Sequence, residues 1–263
     1  MPNYVKIPRQ IVYDTSLSDK RIVIFSYLCA RRALDDTVAF STTELCRWSN
    51  MKPNYRDGKV NQKYYDVLFN LSQRDYFVSY PDFNKLGKEK TNSSKFQIIQ
   101  LNIEKFDVAN GFGIIYFDEL QSILNFKEGL KDSGVDLYRM SSSYILLLLS
   151  YLRVNMNRDP DKPQCCYRLY KTIASDIGIS ERYVGRAVEI LGALNIINSW
   201  ECNRTRYVKD DGTIGFYTNF KIFADYRRFI KDTLGNQVID FNYDSNQEIQ
   251  KQLESFESQK KNI

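Results

Sequence analysis

The sequence predicts an α+β chain, mainly α, in which one short series of elements is used twice. Three observations carry that expectation. Stretches with apolar residues at helical spacing alternate with short β-rich runs, and the order seen in the first half recurs in the second. Each series also closes on two β-rich runs joined by a polar turn. Helix, short strand, helix, turn, helix and two-stranded hairpin is the order of a winged helix: a helix-turn-helix followed by a β-hairpin wing.

The first series opens on a strand-like lead-in, YVKIP. In LSDKRIVIFSYLCARRAL, Ile22, Phe25, Leu28 and Cys29 fall at helical spacing behind Ser18, a residue suited to cap a helix start. A brief β-rich run, TVAFST, follows. STTELCRWSN then opens on Ser and Thr with Glu44 behind them, the pattern of a capping box. The Pro/Asn/Gly stretch MKPNYRDGK separates it from VNQKYYDVLFNLSQRDY, where Val60, Tyr64, Val67, Leu68 and Leu71 share one face. YFVSYPDF and KFQIIQLNI read as strands around the polar, lysine-bearing NKLGKEKTNSS.

The second series repeats the order. FGIIYF reads as a strand and LYRMSSSYILLLLSYLRVNM as a long helix, apolar nearly all round and therefore buried. QCCYRLY is a short β-rich run, TIASDIG a short helix and SERYVGRAVEILGAL a second helix. The β-rich runs NIINSWECNRTRYV and IGFYTNFKIFADY are joined by KDDG, whose Asp-Gly is a hairpin signal. Two glycines in VANGFG mark the boundary. One winged-helix domain is expected over residues 1–108 and another over 112–226, each closing a small three-helix core. Residues 227–263 are expected to start as helix (YRRFIKDTLG) and end as one solvated helix, with Ile249, Leu253 and Phe256 at weak apolar spacing, or as a disordered tail.

Composition narrows the function. Lys and Arg exceed Asp and Glu by 37 to 32, so a net charge of +5 suits a polyanion partner without diagnosing one. The sequence has no histidine, which removes imidazole-activated nucleophiles and imidazole metal sites. Its five cysteines lack C-x-x-C spacing and read as small buried hydrophobes in a reducing compartment. The chain opens on MPNYVKIPRQ, without a secretory pattern, and its most apolar run, YILLLLSYL, is too short to cross a membrane. A cytoplasmic protein with no membrane partner is expected. GFGI is too brief for a dinucleotide fingerprint, no P-loop is present, and turn chemistry accounts for DDG and DPD. Nothing singles out one tyrosine as a nucleophile. The expectation is a binding protein, not an enzyme, with neither cofactor nor metal.

The binding surface follows from the helix faces. In SERYVGRAVEIL, Val184, Ala187, Val188 and Leu191 define the packing face, Ser180 is placed to cap, and Gly178 sits at the turn. Glu181, Arg182, Tyr183, Arg186 and Glu189 then face outward, and in a helix-turn-helix the start of this helix enters the major groove. Arginine matches guanine O6 and N7 together, tyrosine stacks or donates to phosphate, and glutamate accepts from cytosine. Asn203, Arg204, Arg206 and Lys209 lie where the wing would reach phosphate or the minor groove. The equivalent face of the first half carries Lys59, Asn61, Gln62, Lys63 and Asp66. Asn and Gln suit adenine, and Lys85, Lys88, Lys90 and Lys95 in the following loop suit phosphates. That helix also carries Tyr64, Tyr65, Phe69 and Tyr76, and aromatic patches favour self-association. Duplex contact and homodimerisation are both open for this half.

The stretches IPRQIVYDTSLSDKRIVIFSYL, FSTTELCRWSN, VNQKYYDVLFNLSQRDYFV and TIASDIGISERYVGRAVEILGALNII, with the hairpin after them, resemble the winged-helix replication initiators of plasmids, phages and related mobile elements. Relevant groups are the tandem winged-helix Rep proteins, the RepA N-terminal type and the DnaD-like replisome organisers. The resemblance implies binding to origin repeats in double-stranded DNA and recruitment of a helicase or helicase loader. The sequence departs from the pattern in MKPNYRDGK, which precedes the first recognition helix and puts base reading by that half in doubt. A transcription regulator using the same surface, and a winged-helix scaffold that binds only protein, remain as alternatives.

Overall fold

A proline sets the first junction. β1 (Tyr4–Pro8) runs directly into α1 (Arg9–Tyr13), with Pro8 at φ −59° and ψ 141° standing at the helix start. The computed structural model describes residues 3–51, 55–56, 59–60, 62–86, 95–106, 110–156, 165–201, 206–208, 214–216, 221–225, 228–231 and 237–240. The first half continues with α2 (Arg21–Ala30), β2 (Thr37–Phe40), α3 (Thr42–Trp48), β3 (Tyr55–Arg56), β4 (Lys59–Val60) and α4 (Gln62–Ser72). It closes with β5 (Phe77–Ser79), the short α5 (Phe83–Leu86), β6 (Gln97–Leu101) and a 3-10 turn at Ile103–Phe106. The second half has β7 (Phe112–Tyr116), α6 (Phe117–Leu124), α7 (Phe126–Gly129), α8 (Ser142–Asn155), β8 (Cys165–Arg168), α9 (Tyr170–Ile177) and α10 (Glu181–Ala193). After these come β9 (Ile197–Glu201), β10 (Arg206–Val208), β11 (Ile214–Phe216), β12 (Lys221–Asp225), β13 (Arg228–Lys231) and β14 (Gln237–Asp240).

The chain is thus α+β with small antiparallel sheets, and the two halves follow one plan. The strand order is β2-β6-β5 in the first and β8-β12-β9 in the second: the short strand, then the returning hairpin strand, then the outgoing one. In the second half Glu201 pairs with Lys221 and Arg206 with Phe216, so β9–β12 and β10–β11 share one register, as two parts of one hairpin would. The leading strands β1 and β7 pair with each other, Tyr4 opposite Tyr116 and Pro8 opposite Phe112. The middle pair, Lys6 with Ile114, joins the third residue of each strand, and each strand leads straight into a helix. The two halves therefore meet at this ladder.

The expected pair of separate three-helix cores is corrected: the buried apolar residues form one continuous cluster from Val5 to Phe223. The cause is α8. It packs on α1 and α2 of the first half and also on β7, α9 and α10 of the second. Ile145 through Leu149, Tyr151 and Leu152 are all fully buried, which is why this helix is apolar nearly all round. At ~1.5–3 kcal/mol for each large side chain withdrawn from water, the α2–α8 contact is a principal stabilising element. Gly113 lets β7 approach α8, since a Cβ there would lie 2.9 Å from the Ser150 carbonyl oxygen.

Several expected boundaries also change. Val60 and Lys59 stand in β4, not on the helix, because α4 starts at Gln62. The helices α1, α6 and α7 come from stretches that had no predicted element. Ser41 accepts the Glu44 backbone N–H at 3.1 Å, but the Glu44 carboxylate takes Tyr27 and Arg31 in place of the reciprocal capping bond. The helix expected after Asp225 is corrected to the antiparallel pair β13–β14. Ile230, Val238 and Ile239 are β-branched, and the Gly235–Asn236 step between the strands is a turn signal. The tail at 241–263 lies outside the described residues. None of Cys29, Cys46 and Cys166 is in a disulfide. Among the described residues, no helix is long and apolar enough to cross a membrane.

Candidate nucleic-acid interface

α9 and α10 are set against each other by residues the sequence marks clearly. Ile173 and Ile177 anchor α9, and Gly178 ends it at φ 73°, a left-handed conformation that glycine takes without a Cβ clash. The N–H groups of Gly178 and Ile179 both donate to the Ala174 carbonyl, at 3.0 and 3.1 Å. Ser180 stands at the start of α10, where its carbonyl accepts from Tyr183 and Val184, while its side chain makes no capping bond. Val184, Ala187, Val188 and Leu191 are buried, as their spacing predicts, and Ile190 joins them.

The opposite face carries the predicted site residues in three different situations. Glu181, Arg182 and Glu189 are exposed, and Arg182 makes no hydrogen bond or ion pair among the described residues. Tyr183 is half-buried and stacks on Tyr144 with ring centroids 4.7 Å apart. Arg186 is held within the chain. Its Nη1 donates to the Tyr138 carbonyl at 2.9 Å and its Nη2 to the Asp136 carboxylate, leaving its side chain 14 % exposed. Guanine reading by Arg186 with both Nη atoms would require those bonds to open. In the hairpin, Arg206 occupies the first position of β10. Asn203, Arg204 and Lys209 lie outside the described residues.

In the first half, Lys63 is exposed on α4 and Lys85 on α5, while Lys59 sits in β4 and Gln62 is the first residue of α4. Asn61, Lys88 and Lys90 lie outside the described residues. The aromatic surface patch expected on α4 is corrected. Tyr64 and Tyr65 are buried with their hydroxyls bonded to Ser49 and Thr42 of the α3 region, and Tyr76 is buried beside Phe25. A hydroxyl with a partner makes tyrosine a core residue. Among the described residues of this half, large exposed apolar side chains stand elsewhere, and three of them cluster on β5 and at the start of β6: Val78, Phe96 and Ile98, the last 66 % exposed.

Two buried arginines tie the surrounding elements together. Arg21 comes from the first half, yet its Nη2 donates to the Ile177 carbonyl at 2.9 Å, at the end of α9. Burial lowers its pKa to about 10. Arg153 joins Glu119, Asp225 and the Ile114 carbonyl, so α6, β7, α8 and β12 converge on one guanidinium. Burial pulls its pKa down, but Asp225 and Glu119 outweigh that and hold it above the ordinary arginine value. Burial and the bond to Asp176 push the Tyr151 hydroxyl up. Among the described residues, no group of three or more His, Cys, Asp or Glu side chains is arranged to hold a metal.

The long helix expected from Leu137 is corrected to start at Ser142, and the segment 131–140 before it supplies Asp136 and Tyr138 to Arg186 and carries Lys131 and Arg139 in exposed positions. The available signal was its length, a polar stretch between a strand and the long helix with a Ser-Gly turn inside it. No protein-family model matches this sequence, and no curated protein matches it.

Proposed function

We propose that the two halves are tandem winged helices that bind double-stranded DNA sequence-specifically, and that the protein initiates replication of a plasmid, phage or other mobile element. In this reading it binds repeats at an origin and recruits a helicase or helicase loader. The observation that carries the DNA reading is the start of α10. An exposed Arg182, with no hydrogen bond or ion pair among the described residues, stands one residue inside a helix that follows a tight Gly178 turn, and a hairpin in one register lies beyond it. A helix so placed presents its first turn to a major groove, and the hairpin reaches the flanking backbone. The replication role rests on the family resemblance, and a transcription regulator would use the same surface.

Selection from random duplexes tests the DNA reading, with enrichment of a defined motif expected. Recovery of no motif, with equal binding to every duplex, would count against specific recognition. Capture of a helicase or helicase loader by the tagged protein is expected for an initiator, and capture of RNA polymerase for a regulator. A second reading applies to the first half alone. Its exposed apolar cluster of Val78, Phe96 and Ile98 favours self-association over base reading. Sedimentation equilibrium is expected to show a dimer that Ile98→Lys dissociates, and a wild-type monomer at all concentrations would contradict it.

A further inference from the structure

The two halves differ most where a short helix meets the long one. The first half joins α1 to α2 through seven residues, 14–20, and the second joins α6 to α8 through seventeen, 125–141, which include α7. Part of the added chain lies on α10. Leu130 and Met140 anchor its ends in the core, Ser133 donates to the Leu130 carbonyl at 2.7 Å, and Asp136 accepts the Tyr138 N–H at 2.9 Å. Arg186 then clamps the segment to α10 through the Tyr138 carbonyl and Asp136.

What this clamp presents is unusual for a solvated loop. Tyr138 is 64 % exposed, and the Arg139 guanidinium lies 5.0 Å from the centre of its ring. Arg139 is exposed and sits at φ 57°, a left-handed conformation that costs an arginine energy and that only a fixed surrounding backbone sustains. It makes no ion pair among the described residues. Asp136, the nearby charge that would repel a phosphate, is already paired with Arg186. A cation stacked on an exposed aromatic ring, clamped to the second turn of α10, fits a nucleic-acid backbone.

We propose that residues 136–139 form a second arm of the DNA surface. Arg139 contacts a backbone phosphate beside the groove that α10 enters, and Tyr138 packs on the adjoining sugar. Arg186 is a positioning residue that holds the arm in place. The proposal rests on the DNA-binding reading of α10.

Salt-titrated binding of the full chain to a random-sequence duplex of about three helical turns tests it. Arg139→Ala is expected to weaken binding several-fold on random and selected duplexes alike, and to reduce the salt slope by about 0.9, the value of one lost phosphate contact. Arg139→Lys keeps the slope, and Tyr138→Ala weakens binding without changing it. In an Arg186→Ala background, Arg139→Ala adds little, because the arm is no longer held. Wild-type binding by both Arg139→Ala and Tyr138→Ala, alongside weakened Arg182→Ala, would overturn the arm and leave the α10 reading standing. Additive losses from Arg186→Ala and Arg139→Ala would overturn the positioning role. A wild-type chain that ignores duplex DNA at low salt overturns both.

Discussion

Arg21 spends all five of its N–H donors on backbone carbonyls: Ile11, Val12, Leu17, Ser18 and Ile177. It thereby neutralises the negative ends of α1 and α9 at once. Replacing it with methionine orphans those carbonyls, and a loss of at least about 3 kcal/mol in urea unfolding is expected. Arg153→Met leaves Glu119, 1 % exposed, as a buried carboxylate without its cation, at a cost of about 3–5 kcal/mol. Adding Glu119→Leu is expected to recover much of that loss, since no buried charge then remains at that position. Alkaline pH acts through other side chains. Burial pushes Cys46 up to about 11 and Tyr64 and Cys29 up to about 12, and it also raises Tyr27 and Tyr151. A group whose folded pKa is raised gives stability that is complete below its unfolded pKa and fades above it. The unfolded chain therefore gives up protons first, and the thermal midpoint is expected to fall from about pH 9 upward. Arg21 opposes this trend as one group with a lowered value, and a flat midpoint to pH ~11 would show that these groups are not buried.

At the scale of elements, two glycines decide how neighbours meet. Gly178→Ala places a side chain in a left-handed turn, 3.3 Å from the Thr15 methyl, and is expected to cost ~1–2 kcal/mol in urea unfolding. Gly113→Ala drives a methyl into the Ser150 carbonyl and should cost about 1–3 kcal/mol, with hydrogen exchange rising along the β1–β7 ladder. The long periodic elements were legible. α9 and α10 fall where their apolar spacing puts them, α8 does so from Ser142 onward, and the Val184–Leu191 face is buried. Shorter pieces were not, because α1 with five residues and α7 with four carry too little periodicity to register. The stretch 226–235 has helical spacing, but Ile230, Val238 and Ile239 are β-branched and favour the strand pair β13–β14. The clamp on Arg186 escaped for another reason. Its partner Tyr138 is 48 residues away in sequence, and the spacing of polar residues on one helix does not report what a distant loop lays over them.

Over the whole molecule, the sequence pointed to a repeated plan and missed how the copies join. A helix apolar all round was legible as buried, but not as shared. That α8 serves both halves depends on α1 and α2 of the first packing on it together with β7, α9 and α10 of the second. Fragments 1–108 and 112–226 are accordingly expected to lack stable structure alone, each exposing a helix that the other covers. The intact chain should unfold in one transition by circular dichroism and fluorescence together, and two separated transitions would contradict the shared core. The reading of α10 as a DNA-entering helix is tested most directly by titrating duplex binding with salt for the wild type and Arg182→Ala. The expected result is binding that weakens linearly on a logarithmic salt scale, with Arg182→Ala losing about 1–3 kcal/mol on a selected duplex. No affinity for duplex DNA at low salt, or identical curves for the two proteins, would contradict it.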